Sequence, residues 1–449
     1  MTLRLRFSGL FTALLLIFAM TATMTATIYV TYATEAAENA EKATVLSTGS
    51  LTYLQNSQNS QNPTEQSITS AILPYERSVS VPGILTIAGT GSHGAVDGGF
   101  AQFNLPIGIS GTADGGLIIA DTFNNLIRII NAYHEVTTIA GSVGLIGADN
   151  FPLGAYHDGM IGESSFRRPS GAVLGHNNRI YIADTLNHAI RAIIGDRVFT
   201  IAGGLGAGHT DGNRHEARFN APGAIAICPS GNGNIFVADT LNHVIRKITP
   251  AGYTTTIAGV VGVYGYANGR ASEALFDSPM GIVVTDDGRI FVADTGNHVI
   301  RLITMQGDMQ VGEVTTFAGQ HVVYAVYAVH SVYSVYEYYP IGGFVDGAYA
   351  VAMFTNPMGL ALWNGYVIVA DSGNHAIRAI SPNGYTTTIA GTGLPGYTRG
   401  IGAQLHSPMG VYVRNGVLYI ADTGNNKIRT LQLHNTAITT AITQFEGNE

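Results

Sequence analysis

The chain has a single cysteine, Cys228, in 449 residues, so no intramolecular disulfide and no Cys-based zinc site can form. Charge is also scarce. Asp, Glu, Lys and Arg make up 12% of the residues, about half the usual globular share, which excludes a Glu- and Lys-rich coiled coil. The 46% hydrophobic content excludes a mostly disordered chain. Proline is limited to 15 residues, and the 56 glycines follow no triplet period, which excludes collagen. The net charge of -8 is a poor electrostatic match to nucleic acid or to an anionic membrane surface. The chain is rich in Gly, Thr and Tyr, a composition typical of many short strands joined by tight turns.

The N-terminus carries an export pattern. Arg4 and Arg6 precede the apolar run Leu10 to Met20, and no charge occurs from Phe7 to Thr34. Small residues follow at Ala26, Ala33, Ala36 and Ala37. This order reads as a signal peptide over residues 1–33, with Thr31-Tyr32-Ala33 as a cleavage site. The uncharged stretch is also long enough for an uncleaved membrane anchor. Both readings make the rest of the chain secreted or cell-envelope, outside the cytoplasm. A lone cysteine there suits a large fold with its own core. Residues 34–78, with the polar run Gln55 to Asn62, read as a low-complexity linker, and residues 434–449 as a tail.

From residue 79 to 433 the sequence repeats itself. An Asp is followed seven residues later by an Arg in six places: Asp121/Arg128, Asp184/Arg191, Asp239/Arg246, Asp294/Arg301, Asp371/Arg378 and Asp422/Arg429. A proline opens the apolar run before each pair, at Pro106, Pro169, Pro222, Pro279, Pro357 and Pro408. Thr-Ile-Ala-Gly or a near copy follows five of them, ending at Gly141, Gly203, Gly259, Gly319 and Gly391. One unit reads as four strands, at 282–284, 289–293, 299–303 and 314–318, with β-branched and aromatic residues between turn clusters. Asn364-Gly365 and Asn415-Gly416 are hairpin dipeptides.

Six units of four antiparallel strands predict an all-β, six-bladed β-propeller. The sixth unit lacks its closing Thr-Ile-Ala-Gly, whereas Leu85-Thr86-Ile87-Ala88-Gly89 stands alone before the first. The N-terminal strand is therefore expected to complete the last blade, leaving no open edge and a monomeric ring.

At these residues the chain resembles the NHL-repeat family. The name-giving Asn-His pair occurs at Asn187-His188, Asn242-His243, Asn297-His298 and Asn374-His375, with Asn124-Asn125 and Asn425-Asn426 in the first and last units. The resemblance implies the six-bladed propeller but no single activity. Similar proteins include RNA-binding modules, adhesion receptors and, more distantly, metal-dependent lyases and lactonases.

The copied Asp, Arg and His residues read as framework, because functional sites break repeat symmetry. The Asp carboxylate is expected to accept backbone N–H bonds in its own turn, and the Arg to pair with an acid of its own or a neighbouring blade. After the prolines come Ile107, Ser170, Gly223, Met280, Met358 and Met409, which form no catalytic, metal or cofactor set and read as packing at a channel mouth. Before the prolines lies a variable polar ring: Asn104, Arg167, Arg168, Asn220, Asp277, Asn356 and His406. The distance from the Ala-Gly mark to the next acidic or polar turn is 8 or 9 residues, but 17 from Gly141 to Asp158 and 27 from Gly319 to Asp346. The longest stretch repeats Val-Tyr with a period of three, which fits neither helix nor strand, and offers Tyr324, Tyr327, Tyr333 and Tyr336 as an aromatic binding loop. The function expected is an exported module that binds a protein, peptide or glycan on the loop-bearing face. The alternative is a metal-dependent, lactonase- or lyase-like propeller enzyme. Contact with nucleic acid is not expected, nor contact with a membrane beyond the possible anchor.

Overall fold

The structure, a computed structural model, describes residues 83–433 except 149–150, 232, 307–309 and 330–333. The signal or anchor, the linker and the C-terminal tail lie outside the described residues. Six antiparallel sheets carry the repeats. Blade one comprises Ile109–Gly111, Leu117–Asp121, Leu126–Ile130 and Val136–Gly141, each strand pairing with the next. Blades two to five start from the inner strands Pro169–Leu174, Pro222–Ile227, Gly281–Val284 and Pro357–Trp363. Blade six takes Gly410–Arg414, Val417–Asp422 and Lys427–Gln432 from the C-terminal end and Leu85–Ala88 from the N-terminal end. Leu85 lies opposite Thr430 and Thr86 opposite Arg429, so the expected closure forms.

Each Asp ends its blade's second strand, and a three-residue 3-10 turn follows. That turn closes on a left-handed residue: Asn125, His188, His243, His298, His375 or Asn426. Asn and His tolerate positive φ better than bulkier or β-branched residues, which accounts for the side chains found at this corner. In five of the six blades the hydroxyl after the Asp reaches the next blade. Thr185, Thr240, Thr295, Ser372 and Thr423 donate to the carbonyls of Pro222, Pro279, Pro357, Pro408 and Pro106 at 2.6–2.9 Å. Between neighbouring blades lies an apolar core mainly of Ile, Val and Ala. Each link contributes one large buried apolar side chain to it: Phe103, Phe166, Phe219, Phe276, Phe354 and, in blade six, Leu405.

The link from each outer strand to the next inner strand runs past the outer edge of the blade it enters. It pairs there through Gly98 with Val136, Gly212 with Thr254, Gly347 with Thr386 and Ile84 with Gly400. In blades two and four this pairing lengthens to fifth strands, Gly159–Met160 and Gly269–Arg270. The exposed edge of every outer strand is thereby partly covered.

The Val-Tyr stretch corrects the sequence reading. It forms strands Val322–Val329 and Ser334–Ile341, paired antiparallel as a separate two-stranded sheet. The three-residue period hid this, because a strand repeats every two residues and three-residue spacing marks no single face. The high β propensity of Val and Tyr overrides the mismatch, and Tyr327 falls opposite Tyr336 in the register.

Deleting residues 83–90 removes the outer strand of blade six and reopens the ring. Several ladder bonds disappear, each contributing about 0.5–1.5 kcal/mol, together with the burial of Ile84 and Ala88. Thermal unfolding of the truncated chain should fall well below that of the parent, and an unchanged midpoint would show that this strand does not close the ring.

Candidate functional site

The repeated polar residues are engaged in structure, as blade three illustrates. Asp239 Oδ1 accepts the backbone N–H of Asn220 at 2.7 Å, while Oδ2 accepts Asn242 Nδ2 and Arg246 Nη1, both at 2.8 Å. The backbone N–H that the carboxylate accepts thus comes from the link that precedes its inner strand and not from its own turn, which supplies the Asn242 side-chain amide instead. Arg246 also donates to the carbonyls of Arg218 and Thr210 at 2.9 Å and to Asp211 at 2.7 Å, and its guanidinium lies 5.0 Å from the Phe219 ring centre. Asp239 and Arg246 have no solvent exposure. Burial pushes the carboxyls of Asp121, Asp184, Asp239, Asp294 and Asp371 up to about 6, against the pull of the guanidinium and the N–H donors.

The residues that follow the 3-10 turns are engaged as well. Nδ1 of His188, His243, His298 and His375 accepts the N–H of Ala221, Ser278, Asn356 and Ser407 at 2.9–3.1 Å. Asn125 and Asn426 use Oδ1 for the same bond, to Arg168 and Leu105 at 2.8 Å. All six donors precede the opening prolines and hold φ between 44° and 53°, a strained conformation that the neighbouring blade's acceptor anchors. Burial, with a smaller contribution from His321 or His406, lowers the pKa of His298 and His375 to about 4.

The candidate ring therefore mixes two positions. Asn104, Arg167, Asn220, Asp277 and His406 each give a backbone N–H to the Asp of their own blade at 2.7–2.8 Å. In blade five that place belongs to Thr355, bonded to Asp371 at 2.8 Å, which the sequence reading missed. Arg168 and Asn356 are the strained residues one step later. Arg167 and His406 have exposed side chains, whereas Asn104 and Arg168 are buried. Arg168 donates to the Phe123 carbonyl at 3.0 Å and lies over the Phe123 ring at 3.9 Å. Phe123 in turn meets Phe151 of the long 142–157 link edge to face at 5.2 Å. The Asp277 carboxylate is 3.6 Å from His243 Nδ1. Tyr324, Tyr327 and Tyr336 lie in the hairpin strands, and Tyr333 is outside the described residues.

A central channel of about 720 Å³ runs along the six inner strands. Met280, Met358, Met409, Ile107 and Ser170 line one end, and His176, Cys228 and Arg414 the other. The inner strands converge at the Met end. A Cβ on Gly281 would lie 1.8 Å from the Met358 carbonyl oxygen, and one on Gly410 2.1 Å from that of Ile107. The signal for this collar was the recurring Pro-x-Gly, of which the sequence reading used only the proline and the residue after it. Among the described residues no Asp or Glu lines the channel, and no group of three His, Cys, Asp or Glu is placed to hold a metal.

An NHL repeat family model matches residues 276–301. The chain is 30% identical over 339 residues to Protein SUPPRESSOR OF QUENCHING 1, chloroplastic, of Arabidopsis thaliana, covering 71% of this chain and 30% of that protein. It is 28% identical over 352 residues to NHL repeat-containing protein 2 of Bos taurus, covering 71% and 45%. The chain thus spans less than half the length of these curated relatives. An auxiliary nutrient binding protein from Bacteroides thetaiotaomicron shares the fold, with a TM-score of 0.57 at 14% identity over 78% of this chain and 76% of that one.

The histidines produce a pH dependence of defined sign. Their folded pKa lies below the unfolded 6.5, so the unfolded chain takes up protons first, and their contribution is complete above pH 6.5 and lost as pH falls towards about 4. The buried Asp carboxyls work in the opposite direction, favouring the fold as pH falls through about 6. A protein carrying His298→Asn and His375→Asn keeps the acceptor, as Asn125 and Asn426 do, without titrating. Its midpoint should fall less than the parent's between pH 6.5 and 4.5, with the Asp effect common to both; parallel curves would refute the assignment.

Proposed function

We propose that this NHL-repeat β-propeller is an exported binding module that takes a protein, peptide or glycan on the face bearing the links between blades. The observation that carries the reading is a division of labour. The charged and polar residues copied in every blade are consumed by internal bonds, while the exposed apolar surface belongs to the links. Among the described residues, every exposed large apolar side chain except Leu85, Tyr133, Phe199 and Tyr253 lies in a link. Leu145, Ile146 and Leu153 lie on the longer link into blade two, and Val323, Tyr339 and Phe344 on the one into blade five. Exposed apolar groups on loops held by a rigid scaffold are the usual surface for recognition. Both links join an outer strand to the next inner strand, so they rise beside the Met end of the channel. A channel wall without carboxylates favours binding over metal-assisted hydrolysis as the use of that face. The export half of the proposal rests on the sequence of residues 1–33.

The test replaces residues 320–345 with an eight-residue link like that between Gly203 and Asp211, and separately introduces Leu145→Ser with Ile146→Ser. Peptide and glycan arrays are probed with parent and variants. The parent should select a related set of ligands, and the variants should bind them at least tenfold more weakly. The melting midpoint should stay within a few degrees, since loop length has little effect on stability. Undiminished binding would move the site off this face. Lactone hydrolysis by the parent that a chelator abolishes would establish the enzyme reading instead.

A further inference from the structure

Four blades hold a second carboxylate in the same cradle. Asp97, Asp158, Asp211 and Asp346 come from the links, and the Oδ1 of each accepts Nη2 of the buried Arg at 2.5–2.7 Å. The outer-strand Thr opposite that Arg donates its hydroxyl to Oδ1 at 2.9–3.2 Å. Its backbone N–H reaches Oδ2 at 2.9 Å in all four. In blade four Asn268 takes the place and accepts Arg301 at 2.8 Å.

Blade six has the cradle without the carboxylate. Arg429 is fully buried and Thr86 lies opposite it, as Thr138 lies opposite Arg128. The residue at the position of Asp97-Gly98 is Arg399, before Gly400, and its side chain is exposed with Nε donating to Tyr397 Oη at 3.0 Å. Among the described residues Asp422 is the one carboxylate paired with Arg429, at 3.2 Å, the longest of the six repeated pairs. A further cation has been added. Lys427 stands where the other blades carry Leu126, Ala189, Val244, Val299 and Ala376. Its Nζ sits 4.7 Å from the Tyr397 ring centre and bonds the Gly89 carbonyl at 3.3 Å. Burial, aided by Arg399 and Arg429, holds Lys427 below the usual lysine range although Tyr397 and Asp422 oppose it. Burial would raise Tyr397, yet its bonds to Thr86 and Arg399 and the nearby cations bring it below the usual tyrosine range.

We infer that blade six binds a small oxyanion, a carboxylate or phosphate group, between Arg429, Thr86, Arg399 and Lys427, in the place its sister blades fill with an Asp of their own. Three cations face one carboxylate there, and the donors that hold a carboxylate in four blades are already positioned. Thr86 belongs to the N-terminal strand and Arg429 to the C-terminal strand, so the anion bridges the seam that closes the ring.

The parent chain is titrated with inorganic phosphate and, separately, with acetate, each balanced by chloride at constant ionic strength so that screening is unchanged. Calorimetry should show saturable binding of at least one anion, with the midpoint rising by about 2–4 °C at ten times the dissociation constant. A response to phosphate alone marks a phosphate ligand, a response to acetate alone a carboxylate ligand, and a response to both a site open to either oxyanion. Arg399→Asp restores the sister arrangement and should abolish both binding and shift. Lys427→Ala, which has the residue blades two and five carry there, should fold and bind several-fold more weakly. No shift in the parent, or an equal shift in Arg399→Asp, would overturn the inference.

Discussion

A guanidinium without solvent exposure must find acceptors for its N–H groups inside the protein or leave them costly and unpaired. In each blade the Nη groups of the buried Arg meet this demand by bonding to the Asp that ends the second strand and to carbonyls of the incoming link, while Nε of Arg128, Arg246, Arg301 and Arg429 has no acceptor among the described residues. The Asp, held by the same guanidinium, fixes the N–H of the residue two before the opening proline. One ion pair therefore joins the second and third strands to the link that delivers the first. Removing either partner would strand a buried charge, a loss of about 3–5 kcal/mol in such settings, so the pair specifies where the link must lie.

The connection between blades uses different chemistry. The side chain of the left-handed His or Asn holds a strained backbone N–H in the next blade, and the Thr or Ser hydroxyl holds a proline carbonyl. Packed Ile, Val and Ala fill the space between. Because each blade fastens the next, the ring needs one further joint. That joint is the pairing of Leu85–Ala88 with Lys427–Gln432.

Such a frame consumes the residues that look most chemical in the sequence. Six Asp, six Arg and four His are copied, buried or half-buried, and bonded inward. Individuality is left to the links, where length and exposed apolar content differ, and to blade six, where Arg399 and Lys427 replace an acid and an aliphatic residue. Departure from the repeat separates candidate sites from framework here because every regular position already has a structural partner.

The propeller, its six units, the borrowed outer strand and the structural role of the Asp-Arg pair were all legible in the sequence. Each is a local pattern or a spacing of seven, repeated often enough to exclude accident. The second acid of the cradle was not legible. Asp211 and Arg246 are 35 residues apart and meet only because the link passes down the blade's outer edge. Thr355, not Asn356, occupies the ring position of blade five; the constant offset of two from the proline marks it in the sequence, but a choice by polar residue type passes over it. The Val-Tyr hairpin was masked by its period. The glycine collar depends on the distance between neighbouring strands, which a one-dimensional pattern does not contain. The sequence by itself determined which residues recur and hence how many blades form and how they close. The tertiary structure alone decided which distant groups share a site, because those contacts arise only when the links are laid against the blades.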